Sequence, residues 1–96
     1  MPLDVFVRFE PVPGKEQQLH EELMLILDPT RAELGCVRIH LYKSARGPCI
    51  FFIHSEWVDQ AAFDAHAQYP HMKRFLGLVG ELTTHAVQAV RTQQIG

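Results

Sequence analysis

The chain has 96 residues, of which 47% are hydrophobic and 21% are charged, and its formal net charge is −2 with the histidines neutral. This length predicts a single domain over residues 1–96. A domain of this size has modest stability, which oligomerisation would increase. The weak negative charge argues against a nucleic-acid groove, and no apolar run approaches the roughly 20 residues of a membrane span.

The first half of the chain predicts two strands separated by a helix. Apolar and polar residues alternate in both strands, whereas the helix carries leucine and isoleucine at the spacing of one buried stripe. Asp28-Pro29 resembles an N-cap followed by proline at the first helical position, which predicts a break in the helix and a new short turn. The elements predicted here are the strand 3–10, the helix 15–27, the turn through Glu33 and the strand 36–42.

The second half predicts a strand, two helices and a final strand. Asp59 caps the first of these helices, and Pro70 separates it from the second. The predicted elements are the strand 49–57, a helix through Ala67, a helix from Pro70 to about Leu82 and the strand 84–94. The order βαββαβ predicts an α+β fold of the ferredoxin-like type, an antiparallel sheet with its helices on one face.

The strand 49–57 is apolar on both faces, and this pattern predicts a second cover for the sheet. Phe51 and Ile53 point to one side of the strand, and Phe52 points to the other. The helices cover one side, and a second sheet from another copy of the chain is the simplest cover for the other. We therefore expect a homodimer that packs sheet to sheet, with His40 at the interface.

The two cysteines indicate a reducing environment. Cys36 and Cys49 form neither a CxxC motif nor a zinc-binding spacing, and they lie far apart on the predicted hairpin. Asp4 and Arg8 interrupt the N-terminal apolar segment, so no export signal is predicted. These features favour a cytoplasmic protein with reduced thiols.

A candidate site joins the end of the third strand to the helix that follows it. Trp57 ends the strand, and His66 lies nine residues later on the apolar side of the helix, beside Phe63. An imidazole suits general-base chemistry near neutral pH, and an indole can stack on a planar ligand and exclude water. The pair is typical of a pocket for an aromatic substrate. The alternative interpretation is a core tryptophan with a histidine at a helix C-terminus.

Several short motifs occur in an order that matches a known family. They are Val7-Arg8-Phe9, Pro13-Gly14-Lys15, Glu33-Leu34-Gly35-Cys36, Ser55-Glu56-Trp57, Ala65-His66, Pro70-His71 and Phe75. In these motifs the chain resembles the antibiotic biosynthesis monooxygenase family of dimeric ferredoxin-like α+β barrels, over nearly its whole length. The resemblance implies oxidation of a small aromatic substrate, such as a quinol or an anthrone-like polyketide, by O2 without flavin, haem or metal.

The resemblance also implies roles for particular residues. His66 would remove a phenolic proton as the general base, and Trp57 would stack on the substrate. The resulting phenolate is electron-rich enough to pass an electron to O2, so no cofactor is expected. The residues expected to bind the substrate are Phe63, Tyr69, His71 and Phe75.

The histidine spacing argues against a metal site. None of the six histidines stands at HxH or HxxxH spacing. His66 and His71 are separated by Pro70, so no regular helix presents them together. We therefore predict no metal.

Three other functions remain open at this level. Haem-degrading members of the family carry an asparagine in the pocket, whereas this chain contains no asparagine, which argues against that activity. A non-oxidative isomerase would use His66 to shuttle a proton on a small polar substrate, with Lys73, Arg74 or Arg8 as the nearby cation. A dimeric protein that binds a hydrophobic small molecule without turnover would need no base at all.

Overall fold

The computed structural model describes residues 1–96 as one four-stranded antiparallel sheet with three α-helices. The strands lie in the order β2-β3-β1-β4, and the predicted ferredoxin-like α+β fold is confirmed. None of the helices has the length and hydropathy to cross a membrane. The elements are β1 (Leu3–Phe9), α1 (Glu16–Arg31), β2 (Cys36–Lys43), β3 (Phe51–Trp57), α2 (Gln60–His66), α3 (Pro70–Leu78) and β4 (Ala89–Thr92).

Alternation along the strands places every second side chain in the core. In β3, Phe51 and Ile53 are buried whereas Phe52 is exposed, as the sequence pattern predicts. The helices pack on the buried face, where Leu23 of α1 and Phe75 of α3 join the strand residues in one cluster. Burying each such side chain contributes roughly 1.5–3 kcal/mol to folding, so this cluster is the main source of stability.

Helix α1 continues through Pro29, so the predicted break is wrong. Proline inside a helix removes one backbone hydrogen bond and costs roughly 3 kcal/mol. Burial holds the last turn together, because Ile26 and Leu27 belong to the core and Thr30 has no exposed surface. The helix therefore delivers Glu33, which follows it closely, to the edge of the core.

Helix α3 ends at Leu78 rather than near Leu82 and continues as a 3₁₀ turn over Val79–Glu81. Two glycines at 77 and 80 weaken the helix at this point. The tighter turn still buries Val79 and Leu82, so the apolar stripe predicted from the sequence reaches the core without a regular helix.

The last strand is also shorter than predicted, since β4 covers Ala89–Thr92 rather than 84–94. The chain before β4 is held to the end of β1 by different bonds. The Thr84 N–H donates to the Glu10 carbonyl oxygen, and the Glu10 N–H donates to His85 Nε2. The His85 imidazole thus accepts the hydrogen bond that a backbone carbonyl would accept in a regular strand pair. The regular hydrogen-bond ladder between β1 and β4 therefore begins only after His85.

The sheet surface opposite the helices, called here the outer sheet face, is apolar and exposed. Phe6 pairs with Val90 on the neighbouring strand, and Phe52 pairs with Tyr42. Phe6 is 50% exposed and Phe52 is 42% exposed. The sequence pattern of β3 predicted apolar residues on both faces of the sheet. In a single chain the second of these faces, the outer sheet face, is not covered.

Candidate functional site

A cavity of about 320 Å3 lies between the sheet and helices α2 and α3. Of the 17 residues in its wall, 13 are hydrophobic, and these include the predicted residues Phe63 and Phe75. The polar side chains in the wall are Ser55, Asp64, His66 and Arg91. An apolar chamber of this size with a few polar groups is typical of a small-molecule site.

Trp57 lies behind this wall rather than in it. Its side chain has no exposed surface, and its indole Nε1 donates a hydrogen bond to Ser55 Oγ at 3.0 Å. The indole contacts His66 and Phe63, with ring centroids 4.8 Å and 5.6 Å away. The cavity wall includes Phe63 and His66 but not Trp57, so this geometry does not place the indole against a bound substrate. Trp57 instead packs against two residues that line the cavity.

One buried carboxylate joins two histidines beside the cavity. Glu33 Oε2 lies 2.7 Å from His66 Nδ1 and 2.7 Å from His71 Nε2. An ionised carboxylate only accepts hydrogen bonds, so each imidazole donates an N–H to this oxygen. This arrangement leaves His66 Nε2 with a lone pair and no bond to the protein, while the His66 ring forms part of the cavity wall.

The environment of His66 keeps its imidazole neutral near pH 7. Burial lowers the pKa of His66 below its usual value, and the hydrogen bond and the charge of Glu33 oppose this shift without cancelling it. His71 adds a smaller effect that also lowers the pKa. A neutral imidazole with a free Nε2 can accept a proton from a bound molecule.

No sequence pattern assigned a role to Glu33. The residue stood in one of the family motifs, Glu33-Leu34-Gly35-Cys36, but its partners lie 33 and 38 positions further along the chain. Gly35 helps to bring them together. Its φ is +87°, and a Cβ there would lie 2.5 Å from Ala62 Cβ, so glycine lets α2 pack closely against this turn.

Two of the predicted substrate-binding residues lie outside the cavity wall. His71 stands in the first turn of α3, and its ring contacts Glu33 rather than the cavity. Tyr69 is the N-cap residue of α3, with its ring centroid 5.7 Å from that of His71. Pro70 begins α3 and places His71 in its first turn, where the imidazole reaches Glu33; sequence spacing alone does not reveal this direction.

The only cation in the cavity wall is Arg91, which no sequence motif had marked as a site residue. Its guanidinium lies 4.9 Å above the Phe63 ring and donates to Gln60 Oε1 and Asp64 Oδ1, both at 2.6 Å.

The three cations predicted from the sequence do not line the cavity. Arg8 pairs with Glu10, Arg74 pairs with Glu22, and Lys73 is absent from the wall.

The histidine spacing argued against a metal site, but the fold brings ligand-type atoms together from separate elements. One atom each of Glu33, His66 and His71 lies within 4.8 Å of the others. The spacing argument considered a single helix, whereas these side chains come from the α1–β2 turn, α2 and α3.

Comparison with known proteins agrees with the fold and with the motifs. The sequence profile described as "Antibiotic biosynthesis monooxygenase" matches residues 2–77. The chain is 36% identical to Rv0793 of Mycobacterium tuberculosis (strain ATCC 25618 / H37Rv) over 86 residues, which is 90% of this chain and 84% of that protein. It is 26% identical to YcnE of Bacillus subtilis (strain 168) over 81 residues, 84% of this chain and 85% of that protein. The names of both relatives propose that they are monooxygenases.

Solved structures extend the likeness to the whole chain. The structure of Rv0793 superposes with a TM-score of 0.93 at 32% identity, covering 100% of this chain and 97% of the other. PA3566 from Pseudomonas aeruginosa superposes with a TM-score of 0.90 at 26% identity, covering 99% and 95%. These matches support a monooxygenase-like role and binding of a small molecule. The chain belongs to the antibiotic biosynthesis monooxygenase family.

Proposed function

We propose that the chain is a cofactor-independent monooxygenase that oxidises a quinol or a polycyclic phenol with O2. The observation that carries the proposal is the free Nε2 of His66 in the wall of an apolar cavity, with Nδ1 held by a buried carboxylate. The family match and the names of two relatives point to the same class of reaction.

In the proposed mechanism His66 acts as the general base. His66 Nε2 takes the phenolic proton, and Glu33 orients the ring and stabilises the imidazolium that forms, as a carboxylate does in other histidine–carboxylate pairs. The phenolate then transfers an electron to O2. Overall the substrate gains one oxygen atom and loses two hydrogen atoms, which leave with the second oxygen atom as water.

The cavity wall supplies the remaining contacts in this proposal. Phe63 takes the stacking role first predicted for Trp57, because it lines the cavity and its ring centroid lies 5.7 Å from that of His66. Phe75 lines the same cavity and adds a second aromatic surface. Arg91 lies in the same wall, and its positive charge favours the phenolate over the neutral phenol. Trp57 keeps the His66 and Phe63 rings in place from behind.

The test is O2 uptake by purified protein in the presence of a chelator, with menadiol and anthrone as substrates. We expect uptake well above the uncatalysed rate, and a loss of about 10²-fold or more in His66→Ala. His20→Gln is the matched control, because His20 lies outside the cavity wall, and it should retain full activity. Uptake at the uncatalysed rate, or uptake that survives His66→Ala, would refute the proposal.

A second candidate is a non-oxidative isomerase that uses the same base. The observation that favours it is the charged pair Arg91 and Asp64 in the cavity wall, which suits a more polar substrate than a quinol. Conversion of a small polar substrate under anaerobic conditions separates the two, since only the oxygenase consumes O2. A binding protein would retain ligand in the cavity and convert nothing in either assay.

We further propose that two chains pack through the outer sheet face. Phe6, Phe52 and Val90 expose apolar surface there, and Tyr42 lies beside Phe52 on the next strand. Two flat apolar faces of one sheet can cover each other. This arrangement leaves the cavity accessible, because the cavity lies on the opposite side of the sheet.

A cytoplasmic location also stays a proposal. Cys36 and Cys49 are both free thiols, and Cys36 lies opposite Trp57 at the far end of the hairpin from Cys49. Thiols that have no partner within the chain persist most readily in a reducing compartment.

A further inference from the structure

We propose that Glu33, His66 and His71 form a binding site for a divalent transition-metal ion such as Zn²⁺. Glu33 Oε2 lies 2.7 Å from both His66 Nδ1 and His71 Nε2, and one ligand-type atom from each of the three residues lies within 4.8 Å of the others. Two imidazoles and one carboxylate are the ligand set of many catalytic zinc sites and of non-haem iron sites. Three protein ligands leave at least one coordination position open.

A second observation also points to a ligand at this place. The Glu33 side chain is only 1% exposed, and its second oxygen, Oε1, is buried without a hydrogen-bond partner. Buried carboxylate oxygens are normally paired, and an unpaired one calls for an explanation such as an ion. A metal ion held by this carboxylate would satisfy an oxygen that the two histidines leave without a partner.

The surroundings support the metal ligands. Thr30 has no exposed surface, and its Oγ1 lies 3.4 Å from His71 Nε2. The Trp57 and Phe63 rings pack against His66. These contacts help to hold the imidazoles in place, as the surroundings of a metal site do.

Metal binding would change which nitrogen of His66 carries the proton. Without metal, Nδ1–H donates to Glu33 and Nε2 is free to accept a proton. A metal ion needs the Nδ1 lone pair, so a neutral His66 must then carry its proton on Nε2. The ring can no longer act as a base towards the cavity. This consequence rests on the proposed function, whereas the binding of the metal does not.

The binding test uses chelator-treated full-length protein titrated with Zn²⁺ in a calorimeter and with Co²⁺ in a spectrophotometer. We expect one ion per chain, visible Co²⁺ absorption bands typical of a low-coordination site, and a rise in the melting temperature with Zn²⁺. Glu33→Gln and His71→Ala should each weaken binding at least tenfold.

His54→Gln is the matched control for this titration. His54 Nε2 also pairs with a carboxylate, Asp4 Oδ1 at 2.8 Å, but this pair lies on the other side of the sheet and lacks a third ligand. The control should bind metal as the unaltered protein does. Binding that is absent, or that Glu33→Gln and His71→Ala leave unchanged, would overturn the proposal. If a variant proves unstable, the titration of the unaltered protein still tests whether one ion binds.

Activity separates this proposal from the proposed function. If the metal-free protein consumes O2 with a quinol, saturating Zn²⁺ should abolish uptake over the concentration range in which it binds. Activity that persists in the Zn²⁺-saturated protein would overturn coordination through His66 Nδ1. Metal binding without any oxygenase activity would refute only the proposed function.

Discussion

Glu33 and His66 form a buried hydrogen-bonded pair whose contact and burial would suit His66 for the proposed role of a base. The carboxylate fixes the direction of the imidazole, because its Oε2 accepts the Nδ1–H bond at 2.7 Å. Burial then keeps the imidazole in its neutral form by lowering the pKa of His66. The same two features set the pH range in which Nε2 can accept a proton.

The first prediction concerns the pH dependence of O2 uptake. His66 must be neutral to act as a base, so kcat/KM should rise with pH through the pKa of His66 and then reach a plateau. Because burial lowers this pKa, the midpoint of the acidic limb should lie below the usual histidine value of about 6.5. The measurement is initial-rate kinetics over the acidic to neutral pH range with a chelator present.

Glu33→Gln sharpens this pH experiment. The carboxylate raises the pKa of His66 against the effect of burial, so its removal should move the acidic midpoint further down in pH. A purely structural role for Glu33 would lower activity at every pH without moving the midpoint. An acidic limb centred above the usual histidine value in the unaltered protein would contradict the assignment of His66 as the base.

The second prediction compares the two aromatic side chains beside His66. Phe63 lines the cavity whereas Trp57 lies behind it, so Phe63→Ala should raise KM for the quinol several-fold. Trp57→Phe removes a buried ring and the bond to Ser55, and should lower the free energy of unfolding by about 1–3 kcal/mol. Its KM should change less than twofold, as measured by steady-state kinetics and urea unfolding.

A larger effect on KM from Trp57→Phe than from Phe63→Ala would restore the direct stacking role for the indole. The comparison is made on protein that stays folded, which the urea transition establishes for each variant.

At the scale of elements, the turn between α1 and β2 determines where α2 can lie. Gly35 has a φ of +87°, and Val58 N–H donates to its carbonyl oxygen at 2.9 Å. A side chain at this position would meet Ala62 of α2. The close approach of α2 brings His66, at the end of that helix, within reach of Glu33.

The third prediction is that Gly35→Ala destabilises the protein more than Gly47→Ala. Both glycines have positive φ, so each substitution should cost roughly 1 kcal/mol from the backbone alone. Only at Gly35 does the new Cβ meet a neighbour, 2.5 Å from Ala62 Cβ, and overpacking adds about 1–3 kcal/mol. Urea unfolding of both variants measures the difference.

Gly47 is a matched control because a Cβ there meets nothing within 4 Å. Equal losses of stability in the two variants would show that α2 does not depend on the close approach. Gly35→Ala should also reduce O2 uptake in protein that remains folded, since α2 carries His66.

At the scale of the whole molecule, the sheet separates the two surfaces that carry the proposed active site and the proposed dimer interface. One side carries the helices and the cavity, and the other is the outer sheet face with Phe6, Phe52 and Val90 exposed. A contiguous patch of exposed apolar side chains on a sheet is typical of a protein–protein interface, which supports the proposed dimer. The proposed dimer and the proposed active site therefore lie on opposite sides and can be altered independently.

The fourth prediction is that Phe52→Asp converts a dimer into a monomer. Phe52 lies on the central strand β3, so a charge there would be buried without a partner in a sheet-to-sheet dimer. Sedimentation equilibrium at micromolar concentration should give a dimer for the unaltered chain and a monomer for the variant. Leu25→Glu is the control, because Leu25 is exposed on α1 away from the sheet face, and it should remain dimeric. A monomer for the unaltered chain would refute the proposed dimer.

Local sequence patterns were sufficient to predict the element order, the buried stripes and the family, because these depend on periodicity and on short motifs. Strand alternation correctly separated Phe51 from Phe52, and helical spacing correctly placed Leu23 in the core. These patterns failed where a distant contact outweighs a local preference: Pro29 lies inside a helix that core packing holds together. The shortened β4 has a similar cause, since His85 bonds to Glu10 from 75 positions away.

The sequence predicted His66, Phe63 and Phe75 of the candidate site, but Glu33 and Arg91 became visible as members of it only in the folded chain. Trp57, His66 and Phe63 meet as their spacing suggested, but whether a ring faces the cavity or stands behind it depends on packing between elements. Glu33 meets His66 and His71 because the turn at Gly35 and the start of α3 at Pro70 bring three separate elements together. Periodicity describes neighbours along one element, whereas this carboxylate and its histidines become neighbours only when the chain folds.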